Sequence, residues 1–311
     1  MSGRQIIGMS LSPAYLAGRP DAAERRWYGP VDDLLHDLAD ASVGSVELRA
    51  VGPDTDVGLA LAASERVRSA GLAVTIHGVL PPAAPGDDWL ETVPAVVALL
   101  EWLRDGRLRT DDGAPPDAPP DAPPSAVTVH AYAAPNGDAQ TLVARSAARL
   151  AEMGRWIEAE AIPAVLAVEL NRAKKTVDPC VTYEGVLVVS RRAGSSRVGI
   201  CYDFGHTWSN ILREGLSMDA PDGFLRQVVH THIHDVGPTD RTHWPLTEGR
   251  LPLERFVRSL VGVGYTGVWN LELSPERFAG EGECRRRAID SARRLRAALR
   301  RWDDEASPIA L

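Results

Sequence analysis

The sequence predicts a single (β/α)8 (TIM) barrel of the α/β class, and three observations support this. Strand-like and helix-like segments alternate along 311 residues, a length that suits one large barrel or two ordinary domains. With 44% hydrophobic residues, the chain can bury a sizeable core. Seven of its eight histidines and several lone carboxylates stand at or just beyond the ends of apolar, strand-like runs. Ionisable groups at successive strand ends are typical of a barrel whose C-terminal mouth holds a site.

The predicted elements follow one another in a regular order. Strands are predicted near 5–9, 43–48, 72–77, 126–130, 164–169, 197–203, 227–232 and 267–273. Helical patterns lie near 31–41, 57–70, 88–105, 138–160, 181–191, 208–214, 251–263 and 276–302. Pro30, Asp32 and Asp33 form a favourable start for the first helix, and the last helix is rich in arginine, which indicates a solvated face. Short connections between eight such units favour a closed parallel barrel over an open sheet.

One segment, at about 111–124, interrupts this alternation. It repeats the letters PPDA, and so much proline can form neither a helix nor a sheet ladder. We interpret it as an extended, solvated loop before the fourth strand, on the N-terminal face and away from the site. It is therefore predicted to be an insertion within one barrel domain that spans residues 1–311.

Composition excludes several classes of protein. The net charge of −8 and the pI near 5.5 argue against binding of nucleic acid through bulk charge. Cys180, Cys201 and Cys284 lack CxxC spacing, so neither a disulfide framework nor a zinc ribbon is predicted, and a cytoplasmic protein is expected. The N-terminus lacks a signal-peptide pattern, and no apolar stretch reaches the ~18 residues of a membrane span.

The strongest site candidates end four successive strands. Glu169 ends the fifth, Asp203 the sixth, His232 the seventh and Glu272 the eighth. A lone carboxylate at a strand end is more often a helix cap or a salt-bridge partner, but neighbouring strand ends converge at the mouth of a barrel. Carboxylates with one imidazole form a mixed oxygen and nitrogen site, which suits Mn²⁺, Mg²⁺, Co²⁺, Fe²⁺ or Zn²⁺.

Three motifs give the chain a family resemblance. They are Val168-Glu169-Leu170-Asn171, Asp203-Phe204-Gly205-His206 and the stretch from His230 to Glu272. In these motifs the chain resembles the xylose isomerase-like barrel superfamily, which includes sugar phosphate isomerases and epimerases and endonuclease IV. The resemblance implies that Glu169, Asp203, His232 and Glu272 bind one divalent metal, Mn²⁺, Mg²⁺, Co²⁺ or Zn²⁺. It also implies that His206 contacts the substrate or a further metal, and it favours His232 among the neighbouring histidines because Asp235 follows three residues later.

The resemblance also implies a set of additional ligands. Endonuclease IV-like members hold three zincs, and His77, His130, Asp240 and His243 are the residues that would bind the further metals or the substrate. However, the spacing from Asp240 to His243 is one residue longer than in the nuclease, and its glycine-rich stretch after the fifth strand is absent. We therefore expect His77 and His130 to line the substrate cavity, with a second metal there as the alternative.

Several other residues have two open interpretations. Glu47 either orients the substrate or pairs with Arg49. Trp208 and Trp244 either stack on a sugar ring or pack in the core.

The remaining candidates are histidines of the seventh strand and basic residues near the mouth. His230 is expected one layer below His232, and His234 behind the ligands or at the rim. Basic loop residues either bind an anionic substrate group or are solvated; these are Arg172, Lys174, Lys175 and Arg241.

Together these features predict a metal-dependent isomerase or epimerase of a sugar, sugar acid or cyclitol. In that mechanism Glu169 and Glu272 exchange a proton with the substrate through an enediolate, and His206 polarises a substrate oxygen. The alternatives are an inosose-type dehydratase, an endonuclease IV-like multi-zinc phosphodiesterase and a catalytically silent binding subunit. The expected partner is a small sugar-like molecule, without nucleic acid or membrane, and a homo-oligomer stays open.

Overall fold

Eight parallel strands close into a barrel in the computed structural model, which describes residues 5–81, 88–108, 124–237, 239–248, 250–278 and 283–306. The strands are β1 Ile6–Leu11, β2 Val43–Val51, β3 Ala73–Gly78, β4 Ser125–Val129, β5 Ala164–Glu169, β6 Val198–Asp203, β7 Val228–Ile233 and β8 Val268–Leu271. Each pairs with its neighbour in sequence, and β8 pairs back onto β1. The predicted (β/α)8 barrel is therefore confirmed.

Helices connect the strands and flank the barrel. They are α1 Pro13–Leu16, α2 Arg25–Tyr28, α3 Val31–Asp40, α4 Val57–Ser69, α5 Trp89–Thr92, α6 Pro94–Leu108, α7 Ala139–Ala159, α8 Tyr183–Ala193, α9 Phe204–Glu214, α10 Asp222–Leu225, α11 Leu253–Val261 and α12 Cys284–Ala306. The short helices α1, α2 and α10 were not predicted, because four residues are too few for a hydrophobic period.

Side-chain caps explain where several helices begin. Asp56 accepts a hydrogen bond from the amide of Leu59 at α4, and Asp138 accepts one from Thr141 at α7. Such a cap stabilises a helix by about 1 kcal/mol. Asp203 caps α9 in the same way, so this helix begins four residues earlier than the predicted start at 208.

The core lies between the barrel and its helices. The outward-facing side chains of the strands include Met9, Leu48 and Ile76, which are fully buried against the helix layer. On the β6 side, Tyr202 packs edge-on against Phe224, with ring centroids 5.0 Å apart. The inward-facing side chains are mostly polar near the C-terminal ends of the strands, so the apolar layer holds the barrel while its interior is available for chemistry.

Some sequence predictions concern residues beyond these elements. The proline-rich segment at 111–124 falls almost wholly outside the described residues. Cys180, Cys201 and Cys284 are buried, and no disulfide joins them. None of the helices in the described part of the chain is long and apolar enough to cross a membrane.

Candidate metal centre and active site

Four ionisable side chains converge at the C-terminal mouth of the barrel. Glu169, Asp203, His232 and Glu272 each offer an atom that lies within 4.8 Å of the others. Nδ1 of His232 lies 3.6 Å from Oε2 of Glu169, 4.0 Å from Oδ2 of Asp203 and 3.4 Å from Oε2 of Glu272. Parallel register brings them together, since Asp203 stands opposite His232. The four predicted ligands therefore meet at one point, as a metal site requires.

Each of the four side chains carries one buried atom that makes no well-aligned hydrogen bond, although histidine nitrogens lie 3.0–3.4 Å from the carboxylate oxygens. These atoms are Oε1 of Glu169, Oδ2 of Asp203, Nδ1 of His232 and Oε2 of Glu272. A buried polar atom that lacks a good hydrogen bond is unfavourable, and a bound cation would give all four atoms a partner. Three carboxylate oxygens and one imidazole nitrogen fit a divalent cation in donor type and charge.

The orientation of His232 leaves the correct ring nitrogen for such a cation. Its Nε2 lies 3.1 Å from Oε2 of Glu47 and donates a hydrogen bond to that carboxylate. In the neutral ring that a cation would bind, Nδ1 keeps its lone pair and faces Glu169, Asp203 and Glu272. Burial lowers the pKa of His232, but without a cation the neighbouring Cys201 and carboxylates outweigh burial and hold that pKa well above its ordinary value. A carboxylate behind a histidine fixes its tautomer and ring position, an arrangement common behind metal ligands.

Glu47 lies at the centre of a buried polar layer beneath the mouth. Its Oε1 accepts hydrogen bonds from Ser10 at 2.6 Å and from Asn270 at 3.0 Å. Its Oε2 lies 3.1 Å from Nε2 of His230 and 3.1 Å from Nε2 of His232. The same oxygen accepts a hydrogen bond from the Thr128 hydroxyl at 3.4 Å. His230 is thus in the predicted position, one layer below His232.

Neither interpretation offered for Glu47 from the sequence describes this placement. Both carboxylate oxygens are bonded inside the barrel, so the group is not directed at a substrate. The expected pairing with Arg49 is wrong, because Arg49 bonds to Glu24 at 3.1 Å and to the carbonyl of Leu273. Sequence reasoning missed Ser10, Thr128 and Asn270; Asn270 stands two residues before Glu272 and so shares its face of the strand.

Two groups from the other side of the mouth orient Asp203. Its Oδ1 accepts a hydrogen bond from the backbone amide of His206 at 2.6 Å, and Nε2 of His234 lies 3.2 Å from the same oxygen. Gly205 makes this approach possible, because a Cβ atom there would lie only 1.9 Å from the His234 ring. His234 therefore lies behind a candidate ligand, which is one of the two positions expected for it.

The His206 ring lies between two of the carboxylates. Its Nδ1 lies 3.0 Å from Oε1 of Glu169 and 3.1 Å from Oδ2 of Asp203. Burial lowers the pKa of His206, but the carboxylates of Asp203 and Glu169 outweigh burial and raise the pKa to about 9. In the absence of a cation the imidazole is therefore protonated at neutral pH, and a ring nitrogen that carries a proton can donate to a substrate oxygen.

A second ligand-like group shares Glu169. His77, His130 and Glu169 offer atoms within 4.8 Å of one another. Nε2 of His130 lies 2.8 Å from Oε2 of Glu169 and 3.2 Å from Nε2 of His77. His77 is buried, whereas the His130 side chain is 48% exposed, which leaves this side of the mouth open. The group suits either a second cation or a substrate oxygen, the two alternatives predicted from the sequence.

Asp240 and His243, the other two candidate ligands, do not lie next to each other. Asp240 turns outward and pairs with Arg213 at 3.3 Å and Arg250 at 3.6 Å. His243 instead lies 3.3 Å from Oε2 of Glu272, and burial lowers its pKa to about 4. Both residues have positive φ, so the backbone turns at each of them and their side chains diverge.

Three histidines do lie close together at this edge, namely His206, His234 and His243. The backbone amide of His243 donates to Nδ1 of His234 at 2.9 Å. A neutral imidazole that accepts at Nδ1 carries its proton on Nε2, so His234 has no lone pair left for a metal. We therefore interpret this cluster as support for Asp203 and Glu272, and not as a metal site.

The charge state of the two candidate bases follows from their neighbours. Burial raises the pKa of Glu169, but His130 and His232 outweigh burial and hold that pKa well below its ordinary value. Burial also raises the pKa of Glu272, while His243 and His232 hold it well below the ordinary value. Both carboxylates are therefore ionised at neutral pH, the state in which a carboxylate binds a cation or accepts a proton.

The other residues predicted to contact the substrate are two tryptophans and one arginine. Trp208 and Trp244 are both partly buried against the core, and Trp244 covers Gly237. Packing therefore accounts for Trp244, while stacking of a sugar on Trp208 stays a prediction. Arg241 is exposed in the loop after β7.

Comparisons with known proteins agree with this architecture. Residues 124–302 match the family described as xylose isomerase-like TIM barrel, whereas no curated protein sequence matches the chain. Among solved structures, 3-keto-D-glucoside 4-epimerase from E. coli is 14% identical over 94% of this chain and 100% of that one, with a TM-score of 0.64. L-ribulose 3-epimerase is 19% identical over 99% of this chain and 100% of that one, with a TM-score of 0.57. A xylose isomerase domain protein from Alicyclobacillus acidocaldarius subsp. acidocaldarius is 16% identical over 95% of this chain and 98% of that one, with a TM-score of 0.59.

Proposed function

Because the chain belongs to the xylose isomerase-like TIM barrel family, we propose that it is a divalent-metal-dependent isomerase or epimerase of a sugar, sugar acid or cyclitol. One observation carries the proposal: Glu169, Asp203, His232 and Glu272 are all buried, and each offers one ligand atom within 4.8 Å of the others. The names of two similar structures, which are sugar epimerases, support a sugar-like substrate.

These four residues are the proposed ligands of one cation, Mn²⁺, Mg²⁺, Co²⁺ or Zn²⁺. When bound, such a cation supplies Lewis acidity to substrate oxygens, which makes the neighbouring C–H more acidic. His232 contributes Nδ1 because Glu47 holds its other nitrogen. Asp203 contributes Oδ2 because the His206 amide occupies Oδ1.

The proton transfer is assigned to the two glutamates. One carboxylate, Glu169 or Glu272, takes the proton from the substrate carbon, and the C–H electron pair passes into the enediolate. For an isomer, the same carboxylate returns the proton to the adjacent carbon while a proton passes from the hydroxyl oxygen to the former carbonyl oxygen. For an epimer, the second carboxylate, having taken a proton from solvent, delivers it to the other face of the same carbon, and the first carboxylate releases its proton to solvent. His206, which lies between Glu169 and Asp203, stabilises the negative oxygen that develops in between by donating a hydrogen bond to it. An inosose-type dehydratase would share the enolate and differ in expelling hydroxide from the next carbon.

The test is metal-dependent exchange of substrate hydrogen with solvent. Candidate ketoses, aldoses and inososes are incubated in D₂O with the chelated protein and with added Mn²⁺, Mg²⁺ or Co²⁺. We expect deuterium in the recovered sugar only when metal is present, because the proton resides on a carboxylate between the two steps. Product analysis separates an isomer or epimer from a dehydrated product. Turnover of a substrate that is indifferent to metal would contradict the proposal.

One observation favours a second candidate, an endonuclease IV-like phosphodiesterase. His77, His130 and Glu169 form a second ligand group that shares Glu169 with the first, so Glu169 could bridge two cations. The outward turn of Asp240 disfavours the third site of such an enzyme. Metal analysis and an abasic-site duplex decide between the two: one ion and no cleavage support the isomerase, and several zincs with cleavage support the phosphodiesterase.

A further inference from the structure

Arg172 is a cation without a carboxylate partner at the edge of the mouth. It stands three residues beyond Glu169, and its side chain is half-buried. No carboxylate oxygen of the described residues lies within the 4.0 Å of an ion pair, in contrast to Arg213 and Arg250, which share Asp240. Without a carboxylate partner, this guanidinium has all its donors available for an anionic ligand.

The backbone on both sides of Arg172 is held in place. Asn210 of α9 accepts a hydrogen bond from the amide of Ala173 and donates one to the carbonyl of Asn171, both at 2.9 Å. Arg172 therefore lies on a rigid turn that is docked onto α9, the helix that carries His206 in its first turn. Rigid placement matters because it reduces the entropy lost when a guanidinium binds a ligand.

Two further arginines approach the same edge. Arg213 lies on α9, one turn beyond Asn210, and Arg277 follows β8 and donates to the carbonyl of Thr242, the neighbour of His243. Their positive charges, after burial, lower the pKa of Arg172, whereas Asp240 raises it. The nearby carboxylates are occupied, since Asp240 pairs with Arg213 and Glu276 lies 3.9 Å from Arg277. The edge thus retains positive charge next to a strongly acidic centre.

We infer that Arg172, with Arg213 and Arg277 beside it, binds a negatively charged group of the substrate, a carboxylate or a phosphate. The inference rests on the proposed function, because it places the substrate's anionic end over α9 and its reacting carbons over Glu169 and Glu272. A planar guanidinium binds either anion with two parallel hydrogen bonds. The preferred substrate is then a sugar acid or a sugar phosphate, and a neutral sugar lacks the matching group.

The test measures anion binding in the absence of turnover. Chelator-treated protein is titrated calorimetrically with inorganic phosphate, with D-gluconate and with the neutral polyol D-sorbitol. The variants are Arg172→Gln, Arg172→Lys and, as a control of equal charge change, Arg226→Gln, whose side chain is exposed just after α10 and before the start of β7. Thermal unfolding of each variant shows whether it is folded.

We expect wild-type protein to bind one of the anions and not sorbitol. Arg172→Gln should weaken that binding by about tenfold or more, since a charge-assisted hydrogen bond is lost. Arg172→Lys should weaken it less, and Arg226→Gln should leave it unchanged. Preference for phosphate or for gluconate identifies the anionic group. Equal affinity in a folded Arg172→Gln variant, or no anion binding by wild-type protein, would overturn the inference.

This measurement is independent of the chemistry proposed above. It uses neither metal nor turnover, so a failure of metal-dependent hydrogen exchange leaves the titration readable. Conversely, exchange in neutral sugars without anion binding would support the isomerase and reject the role of Arg172.

Discussion

The inner layer of the barrel and its mouth are built from the same kinds of residue but differ in how completely they are bonded. Glu47 in the inner layer and Glu169 at the mouth are both fully buried carboxylates next to histidines. Both oxygens of Glu47 accept hydrogen bonds from the barrel, whereas Oε1 of Glu169 makes no well-aligned hydrogen bond and has only the His206 ring nearby, with Nδ1 3.0 Å away. Burial alone therefore does not distinguish a structural carboxylate from a functional one; the unmade hydrogen bonds do.

The two layers are connected through a single side chain. His232 donates from Nε2 down to Glu47 and turns Nδ1 up to the mouth. The inner layer consequently acts as the rigid support that orients a candidate ligand. The following predictions test this division, from the largest expected effect to the smallest.

The largest effect is expected from Glu169→Gln, which removes the base and one anionic oxygen at the mouth. Turnover should fall by about 10³-fold or more, because general-base catalysis alone contributes 10²–10⁴-fold. The fold should survive, since the apolar layer is untouched. Deuterium incorporation and thermal unfolding measure the two effects. Full activity in this variant would remove Glu169 from the mechanism.

Metal removal is expected to act on stability as well. A cation at 100 times its dissociation constant stabilises the folded state by about 2.7 kcal/mol, so chelation should lower the melting temperature by several degrees. The cation should give no such gain in Asp203→Asn, which loses one anionic ligand. If adding or removing metal leaves the melting temperature of the wild-type protein unchanged, the result would argue against the proposed metal site.

The change Glu47→Gln tests whether the inner layer orients the candidate ligand His232. Metal affinity should fall by about 10–100-fold, because His232 loses the charged partner that fixes its tautomer. Catalysis should be recovered in part at higher metal concentration, which distinguishes this role from that of Glu169. Glu184→Gln, an exposed change on α8, is the matched control. Unchanged metal affinity in Glu47→Gln would break the proposed link between the layers.

The smallest effect is expected from Asp240→Asn. This carboxylate turns away from the mouth toward Arg213 and Arg250, so metal content and affinity should stay within about twofold of wild type. A large loss of bound metal in this variant would instead place Asp240 among the ligands and favour the phosphodiesterase.

Much of the architecture was predictable because its signal is local. Eight apolar strand segments, each followed by a helical pattern, predicted the barrel, and all eight strands are found near the predicted positions. The convergence of Glu169, Asp203, His232 and Glu272 was also predictable. In a parallel barrel, strand ends meet at one mouth whatever the details of packing.

The sequence did not reveal the hydrogen-bond and ion-pair partners of the individual polar side chains. Glu47 was expected to face Arg49 or a substrate, but it bonds to His230 and His232, about 180 residues away along the chain. Asp240 and His243 are three residues apart, yet their side chains point to different neighbours. Such choices depend on loop conformation and on contacts across the barrel, which spacing does not encode.

The sequence by itself thus determined the barrel, its direction and the residues presented at its mouth, because alternation along a strand and the rule that strand ends converge are properties of the local chain. Only the tertiary structure decided which buried polar groups have all their hydrogen-bond partners and which can still bind a ligand. A hydrogen bond is short and directional, so a shift of an ångström between distant strands decides whether a carboxylate is fully hydrogen-bonded. Glu47 has such bonds at both oxygens, and Glu169 keeps an oxygen that can bind a ligand.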